Sequence, residues 1–168
     1  MNPKPVACNT TLLSNFAAIH RVELFLRALS GPTFTTAQVI DEISAGVQAG
    51  YTYLESLESL LLSDSSPIEI TPLGSNELTT FRDLRLRLHA GEASCLAIAL
   101  HRRYVLGTDD LAARKLAQAK SVPVIGTLGA LVLCWHGLLS LTEANQIQQQ
   151  MIDSGYRSPV SRLDEFWK

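Results

Sequence analysis

The sequence predicts an α/β fold, with a central, mostly parallel sheet and helices on both faces. Three observations carry that expectation. Short apolar runs alternate with segments whose apolar residues recur at helical spacing. Several runs pass into the next helix through a polar, capping-type break, as Asn9-Thr10-Thr11 does after Val6-Ala7-Cys8. No linker long enough to divide the chain is visible, so residues 1–168 are expected to form a single layered domain.

The elements follow in order. Val6-Ala7-Cys8, after a proline pair, suits a first buried strand, and Leu12, Leu13, Phe16 and Ala17 then recur as a helix face. A second helix is expected over 22–29, closed by Ser30-Gly31-Pro32, with a short strand at Thr33-Phe34-Thr35. Thr36 caps a helix carrying Val39, Ile40, Ile43 and Val47; residues 51–62 are helical by period. Residues 68–73 alternate and contain Pro72, which points to an edge strand. Leu78, Phe81, Leu84 and Leu88 line a helix that Gly91 is expected to break, and Glu92 then opens a strongly apolar helix over 93–100. A strand over 104–107, a helix over 111–119 and a strand over 122–125 complete the alternation. Gly126-Thr127-Leu128-Gly129 leads into an apolar helix ending near Gly137, and residues 142–154 read as a Gln-rich surface helix. The tail is expected to add a short helix anchored by Leu163, Phe166 and Trp167.

Composition narrows the function classes. An apolar fraction of 46% and a charged fraction of 18% suit a globular protein and not a disordered one. A net charge of −2 gives no global sign of nucleic-acid binding, though a local basic rim can still bind RNA. Cys8, Cys95 and Cys134 lie far apart in apolar settings without a CxxC, as buried thiols of a reducing compartment do. No secretory signal is read at the N-terminus, and the longest apolar stretch, 128–141, is too short to span a bilayer. A cytoplasmic protein without a membrane partner is expected.

Four segments place polar or acidic groups at expected strand ends or helix starts: Asn9-Thr10-Thr11, Asp41-Glu42, Gly91-Glu92 and Thr108-Asp109-Asp110. In open α/β sheets ligands bind beyond the carboxyl ends of the strands. Converging carboxylates repel one another unless a hard cation joins them, and Mg²⁺ or Mn²⁺ with water and a substrate phosphate suits such a set. Each residue also has a plainer role. Asp41 suits a solvent face because Ile40 and Ile43 set the buried one, Glu92 suits the first turn of a helix, and Asp109 or Asp110 suits an N-cap. Arg114, just after the aspartate pair, is the basic residue best placed to meet a phosphate. Gly126-Thr127-Leu128-Gly129 could cradle a phosphate at a helix start, but it lacks the Lys and spacing of a P-loop and reads better as a tight strand-to-helix turn. His20, His89, His101 and His136 have no metal spacing, and Ser14 has no partners at the spacing of a nucleophilic triad.

The block from Leu88 through Gly91-Glu92-Ala93 to Ala99, then Thr108-Asp109-Asp110-Leu111-Ala112-Ala113-Arg114, then Gly126-Thr127-Leu128-Gly129, resembles the PIN-domain superfamily. The resemblance is closest to a poorly characterised PIN-like branch related to VapC-type toxins and covers nearly the whole chain. It implies a three-layer α/β/α, Rossmann-like PIN fold and metal-dependent cleavage of RNA. The positions it implies as catalytic are Glu42, Glu92, Asp109 and Asp110, with Glu42, Glu92 and Asp110 as ligands for Mg²⁺ or Mn²⁺. Thr10 and Thr108 would be local hydrogen-bonding partners, and an antitoxin protein and a homodimer are implied partners. Asn9 stands where the superfamily usually has its first acid; an amide oxygen can ligate a cation but brings no charge. The expectation is therefore a weak endoribonuclease, with a catalytically inactive binding module of the same fold as the alternative. A metal-free structural or regulatory subunit, its acids capping helices, is the third reading.

Overall fold

In a computed structural model of the chain, which describes residues 3–166, strands and helices alternate as β1 (Val6–Cys8), α1 (Thr10–Ala17), α2 (Val22–Leu29), β2 (Thr33–Thr35), α3 (Ala37–Gln48), α4 (Leu54–Leu62), β3 (Ile68–Ile70), α5 (Ser75–Leu84), α6 (Ala90–Arg102), β4 (Val105–Gly107), α7 (Leu111–Ala119), β5 (Val124–Ile125), α8 (Thr127–Gly137), α9 (Leu141–Asp153) and α10 (Leu163–Phe166). The five strands form one sheet in the order β3-β2-β1-β4-β5. All four pairings are parallel. The three-layer α/β/α expectation is borne out, and the sheet is wholly parallel.

The order fixes where a site can form. From β1 the chain moves to β2 on one side; from β4 it moves to β5 on the other. Because such crossovers are right-handed, the two connections cover opposite faces, and a crevice opens between β1 and β4 at their carboxyl ends. The register there is direct: Cys8 pairs with Gly107, so Asn9 and Thr108 leave the sheet side by side.

Helices α1 and α2 pack with α8, and α9 packs on α8; α5 and α7 pack on α6. The core between these layers is built from Leu12, Leu13, Phe16, Phe25, Ile43, Leu96, Ile98, Leu106 and Leu131, all fully buried. Phe16 stacks on Phe25 with ring centroids 4.8 Å apart. All three thiols are free and buried, and burial pushes Cys95 up to about 12 and Cys134 to about 11, so both stay protonated and inert. Among the described residues no helix is long and apolar enough to cross a membrane.

Several boundaries differ from the sequence expectation. Gly91 does not break a helix: it is the second residue of α6, and the chain turns earlier, at 85–88. Glu92 is accordingly in the first turn of α6 and does not start it. Residues 51–53 form a turn before α4, and the strands expected over 68–73, 104–107 and 122–125 shorten to their paired residues. The edge position of the Pro72 strand holds, since β3 ends the sheet. The Gln-rich helix α9 is not purely a surface element, because Gln148 is fully buried beside Ala144, Ile147 and Met151. Leu163 is buried and Phe166 exposed; Trp167 lies outside the described residues.

Candidate active site

Asn9 opens the site. It caps α1, its Oδ1 accepting the Leu12 N–H at 3.3 Å and the Thr11 hydroxyl at 2.8 Å. Its amide nitrogen donates to Thr108 Oγ1 at 2.7 Å, and the residue is 0% exposed. Both ends of the amide are thus engaged: the oxygen caps α1, and the nitrogen joins the exits of β1 and β4. Thr108 Oγ1 also accepts the Asp110 N–H at 3.1 Å, which sets the backbone of the next acid.

Asp110 is the N-cap of α7, with Oδ1 accepting the Ala113 N–H at 2.7 Å. The capping role and a site role are compatible, since a carboxylate has a second oxygen. Glu42, on α3, accepts the Gly91 N–H at 2.8 Å and the Thr10 hydroxyl, so α1, α3 and α6 meet at one carboxylate. A Cβ at Gly91 would run into that carboxylate, which explains a glycine inside a helix better than a break does. Below this contact the Thr36 and Ser94 hydroxyls bond at 2.8 Å and hold α3 against α6. Asp41 is exposed, as its neighbours Ile40 and Ile43 indicated.

Glu92 is buried at the start of α6. Burial raises its pKa, and the charges of Glu42 and Asp110 raise it further; His89 acts in the opposite direction. Glu42, Glu92 and Asp110, from three separate segments, therefore share one electrostatic environment. Among the described residues the ion pairs are Arg102–Glu77 and Arg162–Asp164, so none neutralises these acids.

Asp109 belongs to a neighbouring cluster. Its Oδ1 accepts the Thr127 N–H at 2.9 Å, and its Oδ2 accepts the Thr127 hydroxyl and the Asn15 amide, the latter at 3.1 Å. Arg114 donates to the Thr108 carbonyl at 3.2 Å, which holds its guanidinium beside this cluster. Neither Asn15 nor Thr127 was expected as a site residue, although Thr127 belongs to the Gly126-Thr127-Leu128-Gly129 motif. The available signal was the i, i+4 pair Thr11 and Asn15, which puts two polar side chains on one flank of an otherwise apolar helix.

Among the described residues no three His, Cys, Asp or Glu side chains are gathered tightly enough to hold a metal ion by themselves. The donor chemistry does fit a hard cation. All donors are oxygens, and among the described residues no ion pair neutralises their negative charge. Mg²⁺ characteristically keeps several waters and takes only one or two carboxylates with substrate phosphate.

A wholly parallel α/β/α sheet with acidic side chains at its topological switch point defines the class of the protein. The family model described as "DUF3368: PIN domain" matches residues 5–168, and the chain belongs to that family. PIN domains generally use divalent metal ions and bind nucleic acids, which supports nuclease activity in general. No match was found among curated proteins or among solved structures.

Proposed function

We propose that the chain is one PIN-like domain, residues 1–168, acting as a Mg²⁺- or Mn²⁺-dependent endoribonuclease. The observation that carries this reading is the placement of Glu42, Glu92 and Asp110 at the β1/β4 crevice without a described counter-ion. One or two of these carboxylates would hold the cation directly, and the remainder would act through its waters. When bound, it would polarise a phosphoryl oxygen and stabilise charge developing on the phosphate. Thr10 and the Gly91 N–H fix the Glu42 carboxylate, and Thr108 fixes the backbone of Asp110. Asp109 and Arg114 shape the adjoining wall.

Asn9 lowers the charge of the site by one relative to a PIN domain with an acid there, so turnover is expected to be slow and to need millimolar cation. A second reading, a binding module that has lost catalysis, rests on the same residue. The toxin role, an antitoxin protein and a second copy of the chain as partners, and a cytoplasmic location belong to this proposal and follow the family resemblance and the buried free thiols.

The test is cleavage of labelled RNA with Mn²⁺ by wild type, Asp110→Asn and Glu92→Gln, with folding checked by circular dichroism. Cleavage by wild type and at least a hundredfold loss in both variants supports the nuclease. Equal cleavage in all three contradicts it. RNA binding without turnover at any cation concentration selects the binding module.

A further inference from the structure

Away from the acidic crevice, a groove of about 730 Å³ lies between α2, α4 and α9. None of Glu42, Glu92, Asp109 and Asp110 lines it. The crevice and the groove sit at opposite ends of α1, which leaves the crevice at Thr10 and brings Ala17 to the groove, a helix length of about 12 Å. Leu24 from α2, Leu57 and Leu60 from α4 and Ile147 from α9 give the groove its apolar lining. His20, Arg21 and Arg27 stand on the α2 wall, and Glu143, Gln146 and Gln150 on the α9 wall. Helical spacing explains the two walls. Arg21, Leu24 and Arg27 recur every third residue, and Glu143, Ile147 and Gln150 recur at four and three, so each helix turns one stripe to the groove.

The turn between α1 and α2 adds a second observation. His20 has φ +57°; its N–H returns to the Ala17 carbonyl at 3.0 Å, and the Arg21 N–H returns to the Phe16 carbonyl at 2.9 Å. At such a helix end glycine is the unstrained residue. Histidine there accepts backbone strain and sets an imidazole on the groove wall beside Arg21. Arg21 and Arg27 are exposed, and among the described residues neither takes part in an ion pair. Two acids also line the groove, Glu23 and Glu143. Glu143 Oε2 accepts the Ser140 N–H at 2.8 Å and the Ser140 hydroxyl at 2.7 Å, which leaves Oε1 as an acceptor for a ligand.

We propose that this groove binds an adenine nucleotide. Arg21 and Arg27, with His20, hold the phosphates, because planar guanidinium forks match phosphate oxygens. Two guanidiniums and an imidazole outweigh the single charge of Glu23 on that wall. The leucines and Ile147 cover the base. Gln146 and Gln150 supply the carboxamide that matches the donor and acceptor of an adenine edge. Glu143 Oε1 accepts from a ribose hydroxyl, as an acid does in dinucleotide sites. The volume lies in the range of small-molecule sites. The proposal goes beyond the nuclease reading and does not depend on it.

The experiment is calorimetric titration of the full chain in EDTA with ADP, adenosine and inorganic phosphate. EDTA keeps cations from the acidic crevice, so that phosphate is repelled there. Arg21→Gln and Arg27→Gln are the variants, both at exposed positions; Arg82→Gln on α5 and Asp110→Asn in the crevice are the controls. ADP is expected to bind wild type one to one with a Kd below roughly 1 mM, at least tenfold tighter than adenosine or phosphate alone. Each groove variant is expected to weaken ADP binding at least fivefold, and both controls to leave it unchanged. No ADP binding, ADP no tighter than adenosine or phosphate, unaltered binding in both groove variants, or loss of binding in Asp110→Asn overturns the proposal. Self-association of the chain that Arg27→Gln abolishes, without ADP binding, gives the groove to a second copy and overturns it as well.

Discussion

Asp109 caps a helix that begins 18 residues further along the chain: its carboxylate receives both the backbone N–H and the hydroxyl of Thr127. Gly126, the residue in the N-cap position of α8, has no side chain to do this itself. The next residue, Asp110, caps its own helix through Ala113. Two adjacent acids thus serve two different helix starts, and the consequences of removing them should separate.

Asp109→Ala is expected to cost roughly 1–2 kcal/mol of stability, because α8 loses its cap and Asn15 and Thr127 lose a charged acceptor. Asp110→Asn is expected to cost well under 1 kcal/mol, since Asn is an equally good N-cap, while cleavage falls at least a hundredfold. Urea unfolding read beside RNA cleavage checks both.

Glu92 is a buried acid beside two other acids, a charge arrangement that costs stability in the metal-free protein. Glu92→Gln keeps the hydrogen-bonding shape and removes the charge. In EDTA it is expected to melt about 2–4 °C higher than wild type, the shift that roughly 1 kcal/mol produces in a domain of this size. Activity should be lost. A lower melting temperature in EDTA would show that Glu92 is needed structurally.

Asn9→Asp tests the departure from the usual PIN pattern. The Thr108 hydroxyl can turn to donate to the new carboxylate, so the join between β1 and β4 can persist. The variant adds a fully buried charge next to three acids. Metal-free, it is expected to lose roughly 1–3 kcal/mol; with Mn²⁺ it is expected to recover, and to bind the ion at least tenfold tighter than wild type. Calorimetric titration reads the affinity, and an unchanged value would count against a ligand role for position 9.

Away from the site, Arg102 grips Glu77 through two bonds of 2.6 and 2.8 Å and also reaches Thr71 and the Pro72 carbonyl. This guanidinium holds the Glu77 carboxyl below the usual range of about 4.3. The stabilisation is complete above that range and is lost as pH falls through the lowered folded value. Arg102→Met is expected to cost roughly 2–3 kcal/mol at pH 7. The gap between wild type and variant should narrow in urea unfolding at pH 3.

What the sequence made legible was local. The exits of β1 and β4 were readable because apolar runs ended abruptly at Asn9 and at Thr108-Asp109-Asp110, and Ile40 and Ile43 told Asp41 from Glu42. What it concealed depended on pairing across the fold. Gly91 looked like a breaker by propensity alone, and only the approach of Glu42 from another helix gives it a reason. Asp109 could not be assigned to Thr127 without knowing that β5 lies beside β4. Arg102 could not be assigned to Glu77 from sequence, since the two lie 25 residues apart. Gln148 looked like part of a polar surface, although its amide is what fastens the tail.

The central claim is that Glu42, Glu92 and Asp110 together are a cation site. Thermal unfolding of metal-stripped wild type and Asp110→Asn, each titrated with Mn²⁺, tests it most directly. The account expects a saturable rise in wild type, about 5–10 °C at a hundredfold excess over Kd, and little or none in the variant. No shift in wild type up to millimolar Mn²⁺, or the same shift in both proteins, would contradict it.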